Sequence, residues 1–232
     1  MPDQKIYAFI CTRSKQLTDI TQKYLQYLAL SSIEVKLIVG QSSIFEGYLK
    51  AFKKTKPNPD DIIILSHDDI QIRLPLPSLR EVLIKNITKG TGFVGPAGTT
   101  YLGKDSVWWN QERWGQGYHK GEVFHVTKET QKLDRTVYGP NGQVVVLDGL
   151  FLAAKAKVLE EIGLEKPDYL EGEWDFYDIH YTHSAHQKGY INKTVPLSII
   201  HHSRGELAGR DSWHRNRELF IKKNEKEFPI TC

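Results

Sequence analysis

A histidine and two carboxylates follow a run of aliphatic residues in the first third of the chain. Residues 62–65 are four consecutive apolar side chains, and His67, Asp68 and Asp69 come after one intervening serine. An unbroken β-branched and aliphatic run is typical of a strand buried on both faces, as in a parallel sheet covered by helices. Such sheets bind their ligands at the carboxyl ends of the strands, where these three side chains would lie.

The paired carboxylates Asp68 and Asp69 need positive charge nearby, because two ionised carboxylates at one place repel each other. A divalent cation with oxygen ligands would supply that charge, and it is one of two hypotheses for the cluster. The other is a solvated strand end whose acidic residues cap the following helix. The cluster alone leaves both hypotheses open.

The composition is that of an ordinary globular domain. Of 232 residues, 40% are hydrophobic and 25% are charged, which is enough for one substantial core. The net charge of +3 is small and gives no reason to expect nucleic acid as a partner. Cys11 and Cys232 form no disulfide or metal pattern, which is typical of a reducing cytosol. We expect a cytoplasmic protein, because no signal peptide and no run of about 20 apolar residues is present.

The first seventy residues alternate between strand and helix patterns. Residues 6–10, 35–40 and 61–67 are predicted strands, and residues 17–28 and 44–52 repeat apolar side chains at helical spacing. This alternation predicts an α/β fold in which helices flank a central, mostly parallel sheet. There is no internal repeat and no low-complexity linker, so we expect a single domain over residues 1–232.

Residues 99–133 show no clear periodicity and contain Trp108, Trp109 and Trp114. Long irregular segments inside compact domains are commonly binding loops or lids, and we expect a mobile lid here. Clustered tryptophans suit the apolar faces of sugars, but they fill protein cores equally well. The sequence does not choose between these two roles.

Further candidate residues lie in the second half of the chain. Asp148 follows the predicted strand 144–147, and Asp178 lies in a helix that we predict from Glu171 to Gly189. Acidic residues in a first helical turn suit the helix dipole, which explains Glu173 and Asp175 well and Asp178 less well, so a purely structural role remains open for Asp178. His201 and His202 end a late apolar stretch. His180, His183 and His186 drift around their helix, and we assign them structural or surface roles.

Taken in order, these motifs resemble those of the GT-A-fold glycosyltransferases, in particular the family-two-like group that includes the majastridin-like transferases. The resemblance runs from Ile6 to about Phe228 and depends on five motifs, which are residues 43–48, His67-Asp68-Asp69, residues 146–151, residues 176–179 and residues 201–205. It implies a GT-A-like (Rossmann-like) fold, with a nucleotide-sugar-binding half at 1–98 and an acceptor half at 99–232. His67 departs from the first aspartate of the usual Asp-x-Asp motif.

The resemblance also implies a role for each matching residue. Asp69, His201 and His202 would hold the metal, Asp178 would be the catalytic base, and Asp148 would orient the acceptor or the sugar. The residues expected to bind the nucleotide-sugar are Cys11, Thr12, Arg13, Gly40, Ser43, His67, Asp68 and Arg204.

The expected activity is metal-dependent transfer of a sugar from a nucleotide-sugar, most simply a UDP-sugar, to a carbohydrate or another hydroxyl acceptor. The cation would be Mn²⁺ or Mg²⁺, and a base at Asp178 would imply inversion at the sugar carbon. Two other hypotheses are a catalytically silent module that binds nucleotide-sugars or glycans, and a metal-dependent hydrolase or nucleotidyltransferase. All three would use the same acidic strand end.

Overall fold

A computed structural model describes residues 4–126, 132–202 and 210–232 of the chain. The strands are β1 Ile6–Cys11, β2 Glu34–Ile38, β3 Ile62–Ser66, β4 Ile70–Ile72, β5 Thr91–Gly95, β6 Ala97–Thr99, β7 Tyr101–Leu102, β8 His119–Val126, β9 Leu133–Gly139, β10 Gln143–Val144, β11 Val146–Leu147, β12 Phe151–Lys155, β13 Ile191–Thr194, β14 Ile199–His201 and β15 Ile230–Thr231. The helices are α1 Asp19–Leu30, α2 Ile44–Thr55, α3 Ser78–Asn86, α4 Ala156–Ile162, α5 Tyr177–Gln187 and α6 Asp211–Lys223, with short 3₁₀ turns at Gln111–Arg113 and Glu225–Glu227.

The main sheet has seven strands in the order β10-β13-β5-β12-β3-β1-β2. Strand β1 pairs in parallel with β2 and β3, and β5 pairs in parallel with β13. Strand β12 lies antiparallel between β3 and β5. The predicted α/β class with helices around a central sheet is confirmed, and the sheet is mixed because β12 is inserted against the direction of its neighbours.

One sequence interpretation around residue 148 needs correction. The predicted strand 144–147 is divided, because β10 pairs with β13 in the main sheet whereas β11 pairs with β6 in a second sheet. The apolar stretch after Leu150 forms β12, and α4 follows it directly.

Strand β3 is buried along its whole length, as predicted from its aliphatic run. Its end is fixed by two tyrosines that come from different helices. The hydroxyl of Tyr24 in α1 lies 2.9 Å from Ser66 Oγ, and the hydroxyl of Tyr48 in α2 donates to the carbonyl of Ser66 at 3.3 Å. Two hydrogen bonds to Ser66 therefore fix the end of β3, from which residues 67–69 leave the sheet.

The second sheet has the order β11-β6-β8-β14-β4, and β9 pairs with β8. Strand β4 begins directly after Asp69, and β14 runs antiparallel to it with His201 opposite Ile70. The amide of His202 donates to the carbonyl of Asp69 at 2.9 Å. This pairing brings the late histidines, more than a hundred residues away in sequence, to the end of β3.

Residues 99–133 are not wholly irregular, contrary to our expectation. They contain β7, a 3₁₀ turn and the eight-residue strand β8, which lies in the middle of the second sheet. The first buried positions of β8 are His119 and Gly121. The sequence therefore shows no alternation of apolar and polar residues that would predict this strand. Trp108 is buried, whereas Trp114 is 47% exposed. The mobility of this segment stays a prediction, and residues 127–131 lie outside the described part.

Among the described residues, no helix combines the length and the apolar character that crossing a membrane requires.

Asn192 in β13 connects three elements from a fully buried position. Its Nδ2 donates to the carbonyls of Val145 and Thr182 at 2.8 and 2.7 Å, and its Oδ1 accepts from the amide of Phe93 at 2.9 Å. Truncation would leave these backbone groups without partners in the core, where each such loss costs about 1–3 kcal/mol.

We therefore expect Asn192→Ala to lower the free energy of unfolding by about 3 kcal/mol in urea titrations, because the freed backbone groups stay buried. The exposed Asn141, with Asn141→Ala, is the control and should change stability by less than about 0.5 kcal/mol. Equal, small effects of the two substitutions would contradict this role of Asn192.

Candidate active site

One cleft of about 700 Å³ opens where β1 and β3 end. The predicted site residues that line this cleft are Cys11, Thr12, Arg13, His67, Asp68, Asp69, Asp148, Asp178 and His201. These residues come from five separate segments of the chain. The fold thus gathers most of the predicted site residues at one place.

Three predicted site residues lie outside the cleft lining, and one cannot be placed. Ser43 caps α2, where its Oγ accepts from the amide of Glu46 at 3.3 Å. Gly40 forms a turn at φ +63°, a conformation that glycine adopts without strain. His202 is half-buried and contacts Asp69 through its backbone amide. Arg204 falls in 203–209, outside the described residues.

His67, Asp69 and His201 form a cluster whose ligand atoms all lie within 4.8 Å of one another. His67 Nδ1 lies 3.3 Å from His201 Nε2, and Asp69 Oδ1 lies 3.3 Å from His201 Nε2 and 3.8 Å from His67 Nδ1. Neighbouring ligands of one cation are about 3.0–3.5 Å apart when each bond is about 2.1 Å long. The cluster therefore fits a divalent cation, with His67 rather than His202 beside Asp69 and His201.

The surroundings of the cluster favour positive charge on His201. Burial lowers the pKa of His201, but the hydrogen bond and charge of Asp69, together with Asp148, outweigh it and raise the pKa overall. Burial lowers the pKa of His67, and the neighbouring His201 lowers it further against the opposing charge of Asp69. His67 is therefore the neutral imidazole of the pair, with a lone pair available for a cation.

Gly149 is hydrogen-bonded to Asp178 and, through Tyr177, is connected to His67. Its amide donates to Asp178 Oδ2 at 3.0 Å, and its carbonyl accepts from the hydroxyl of Tyr177 at 2.7 Å. A Cβ on Gly149 would lie 2.5 Å from the Tyr177 hydroxyl and 2.8 Å from Asp178 Cβ. Only glycine permits this close approach of α5, which explains the Asp148-Gly149 sequence in physical terms.

The carboxyl group of Asp178 has a raised pKa. Burial raises its pKa, the charge of Asp148 raises it further, and hydrogen bonds from backbone amides lower it only partly, so that the pKa reaches about 7. Asp148 itself accepts from the amide of Leu150 at 3.2 Å. A carboxylate that titrates near neutral pH and lines a cleft is suited to accept a proton from a bound hydroxyl.

Tyr177 is a site residue that our sequence reasoning missed. It lines the cleft, and its hydroxyl lies 3.0 Å from His67 Nε2 as well as donating to Gly149. The signal was present in the Tyr-Asp pair at residues 177–178, of which we weighed only the aspartate.

Aromatic side chains form much of the cleft wall. Trp109 and Trp213 have ring centroids 5.7 Å apart, and the guanidinium of Arg13 lies 4.3 Å over the ring of Trp174. Trp108 also lines the cleft, whereas Trp114 does not. Flat apolar faces beside polar groups are suited to sugar rings. Trp108 is buried, as a core residue would be, and a role of the tryptophans in sugar binding stays a prediction.

The model of the Glycosyltransferase like family matches residues 8–224, and the chain belongs to this family. Among curated proteins, none matches the chain.

Two solved structures match the chain over most of its length. GalNAc-T7, solved with UDP, GalNAc and Mn²⁺, is 8% identical with a TM-score of 0.58, and the match covers 97% of this chain. It covers 48% of the GalNAc-T7 chain, so this protein spans about half of that length. A197 from STIV is 12% identical with a TM-score of 0.47, and the match covers 85% of this chain and 86% of that one.

The raised pKa of Asp178 predicts a pH-dependent stability. An unfolded aspartate loses its proton near pH 3.9, whereas folded Asp178 keeps it to about pH 7. The folded state therefore binds more protons between these values, and stability falls as pH rises through this window. Above pH 7 both states are ionised and no further loss follows.

We expect Asp178→Asn to remove this loss, because an amide does not ionise. Relative to the wild type, the variant should gain up to about 2 kcal/mol of unfolding free energy between pH 5 and pH 8. Urea titrations in the presence of a chelator measure it, and the exposed Asp168→Asn serves as control. A gain that is the same at both pH values would contradict the raised pKa.

Proposed function

We propose that this protein transfers a sugar from a UDP-sugar to a hydroxyl group of a carbohydrate or similar acceptor, with the help of a divalent cation. The observation that supports this most is the shared cleft, which is lined by the His67, Asp69 and His201 cluster and by Asp178. The family membership supports the transferase activity. The UDP and Mn²⁺ in the GalNAc-T7 structure support our choice of donor and cation.

In this proposal Asp69, His67 and His201 hold the cation. When bound, it would stabilise the negative charge that develops on the departing diphosphate. We propose Mn²⁺ over Mg²⁺, because two imidazoles and one carboxylate suit a first-row transition metal better than an ion that prefers oxygen ligands. Cys11, Thr12, Arg13 and Asp68 would contact the donor where β1 and β3 end.

Asp178 would act as the base. Its carboxylate accepts the proton of the acceptor hydroxyl, and the acceptor oxygen forms a bond to the anomeric carbon of the sugar. The bond from that carbon to the diphosphate breaks, and its electron pair stays with the leaving oxygen. A single displacement of this kind inverts the configuration of the anomeric carbon. Asp148 would orient the acceptor or the sugar, and its charge helps to keep the pKa of Asp178 near neutrality.

We also propose that residues 1–98 form the donor half and residues 99–232 the acceptor half. Support comes from the cleft lining, in which Cys11–Arg13 and His67–Asp69 belong to the first half, and Trp109, Asp178 and Trp213 to the second. His201 is the exception, because it reaches the metal cluster from the second half.

The two late histidines offer a matched test of the metal site. We expect His201→Ala to weaken Mn²⁺ binding at least tenfold in calorimetric titration, because it removes a ligand nitrogen. His202→Ala should bind Mn²⁺ like the wild type, because the side chain of His202 is not in the cluster. A stronger loss in His202→Ala than in His201→Ala would refute this assignment.

The proposed activity is tested by separating donor binding from transfer. We expect Asp178→Asn to retain UDP-sugar affinity while transfer falls about 10²–10⁴-fold, the range typical of a lost proton transfer. Asp69→Asn should instead weaken Mn²⁺-dependent UDP affinity, because it removes an anionic ligand.

Release of UDP on addition of an acceptor mixture, compared with release in water alone, distinguishes transfer from hydrolysis. A silent binding module would bind UDP-sugar without either release. Wild-type rates in Asp178→Asn would rule out Asp178 as the base, and melting curves of both variants control for folding.

A further inference from the structure

We propose that Tyr177 is a positioning residue that holds His67 in the tautomer whose Nδ1 lone pair faces Asp69 and His201. The inference rests on the metal site proposed above, and it adds to that site a residue that does not itself bind the cation. Its basis is the sequence of hydrogen bonds from Gly149 through Tyr177 to His67.

The direction of these hydrogen bonds follows from counting protons. A tyrosine hydroxyl has one hydrogen, and that of Tyr177 is donated to the carbonyl of Gly149 at 2.7 Å. Toward His67 Nε2, 3.0 Å away, the hydroxyl oxygen can then only accept. Nε2 must therefore carry the hydrogen, and in the neutral ring Nδ1 keeps its lone pair.

The opposite tautomer would spoil the cluster. With the hydrogen on Nδ1, an N–H bond would point toward Asp69 Oδ1 and His201 Nε2, which lie 3.8 and 3.3 Å away. That nitrogen could not bind a cation. Nε2 would then carry the lone pair, and the hydroxyl of Tyr177 would have to turn its hydrogen from the carbonyl of Gly149 to Nε2. The carbonyl of Gly149 would lose this donor in a buried place.

Tyr177 is held firmly enough to impose this choice. It is 4% exposed, and its ring makes edge contacts with Phe45, Tyr48 and Tyr181 at centroid distances of 6.5, 6.0 and 6.2 Å. Its hydroxyl occupies the space that a Cβ on Gly149 would need. This packing keeps the oxygen within hydrogen-bond distance of both partners, and while it donates to the carbonyl of Gly149 it can only accept from His67.

Partners of this kind fix the tautomer and the ring orientation of metal-binding histidines, and losing them typically reduces metal affinity 10–100-fold. We expect Tyr177→Phe to bind Mn²⁺, used alone as the probe, 10–100-fold more weakly than the wild type. The matched control is Tyr181→Phe on the same helix, because Tyr181 is also buried and also donates to a backbone carbonyl, that of Leu164 at 2.8 Å. It should bind Mn²⁺ like the wild type.

A second measurement needs no metal. In chelator-treated protein, ¹⁵N resonances of the histidine rings distinguish the two tautomers, and His67→Gln identifies the signals of His67. We expect an Nε2-protonated ring in the wild type and in Tyr181→Phe, and a mixture of tautomers in Tyr177→Phe.

The outcomes separate this inference from the proposed function. Wild-type protein that does not bind Mn²⁺ would refute the metal site, while an Nδ1-protonated His67 would overturn the role of Tyr177. Wild-type affinity in Tyr177→Phe would also overturn it. Equal losses in Tyr177→Phe and Tyr181→Phe would do the same, because they would indicate general damage to the packing of α5.

Discussion

The close approach of helix α5 to Gly149 is the constraint on which the cleft depends. Because Gly149 has no side chain, Tyr177 and Asp178 can each hydrogen-bond to its backbone, one to the carbonyl and one to the amide. The same contact places Tyr177 against His67 and Asp178 beside Asp148. A side chain at position 149 would therefore displace the candidate base and the candidate metal cluster together, although they belong to different segments of the chain.

This arrangement concentrates negative charge in a partly buried place. Asp69 and Asp148 both act on His201, and Asp148 also acts on Asp178, whose pKa rises to about 7. Ionised groups held in this way lower the stability of the free protein, and a bound cation would offset that cost. We therefore expect the stability of the folded state to depend on pH and on metal. Such a conflict between stability and activity is expected at a functional site.

The sequence predicted the parts of the site better than their arrangement. The aliphatic run before His67 gave strand β3 directly, and the order of the motifs gave the fold. Which of His201 and His202 has its side chain beside Asp69 could not be read from sequence, because it depends on the pairing of β14 with β4 and on which side each residue faces. Strand β8 was not predicted because histidine and glycine occupy its first buried positions, whereas a half-buried strand is recognised by apolar residues at every second position.

The histidine at position 67 gives Tyr177 its importance. An aspartate there would present lone pairs from either oxygen whatever its neighbours were, so its chemistry as a ligand would need no further control. A neutral histidine has one lone pair on one of two nitrogens, and a neighbouring group must decide which. In the metal site proposed above, His67 would supply a nitrogen where the usual motif has an oxygen ligand, which would favour transition metals. A histidine in this role would need a partner that sets its tautomer, and Tyr177, hydrogen-bonded to Gly149, is placed to be that partner.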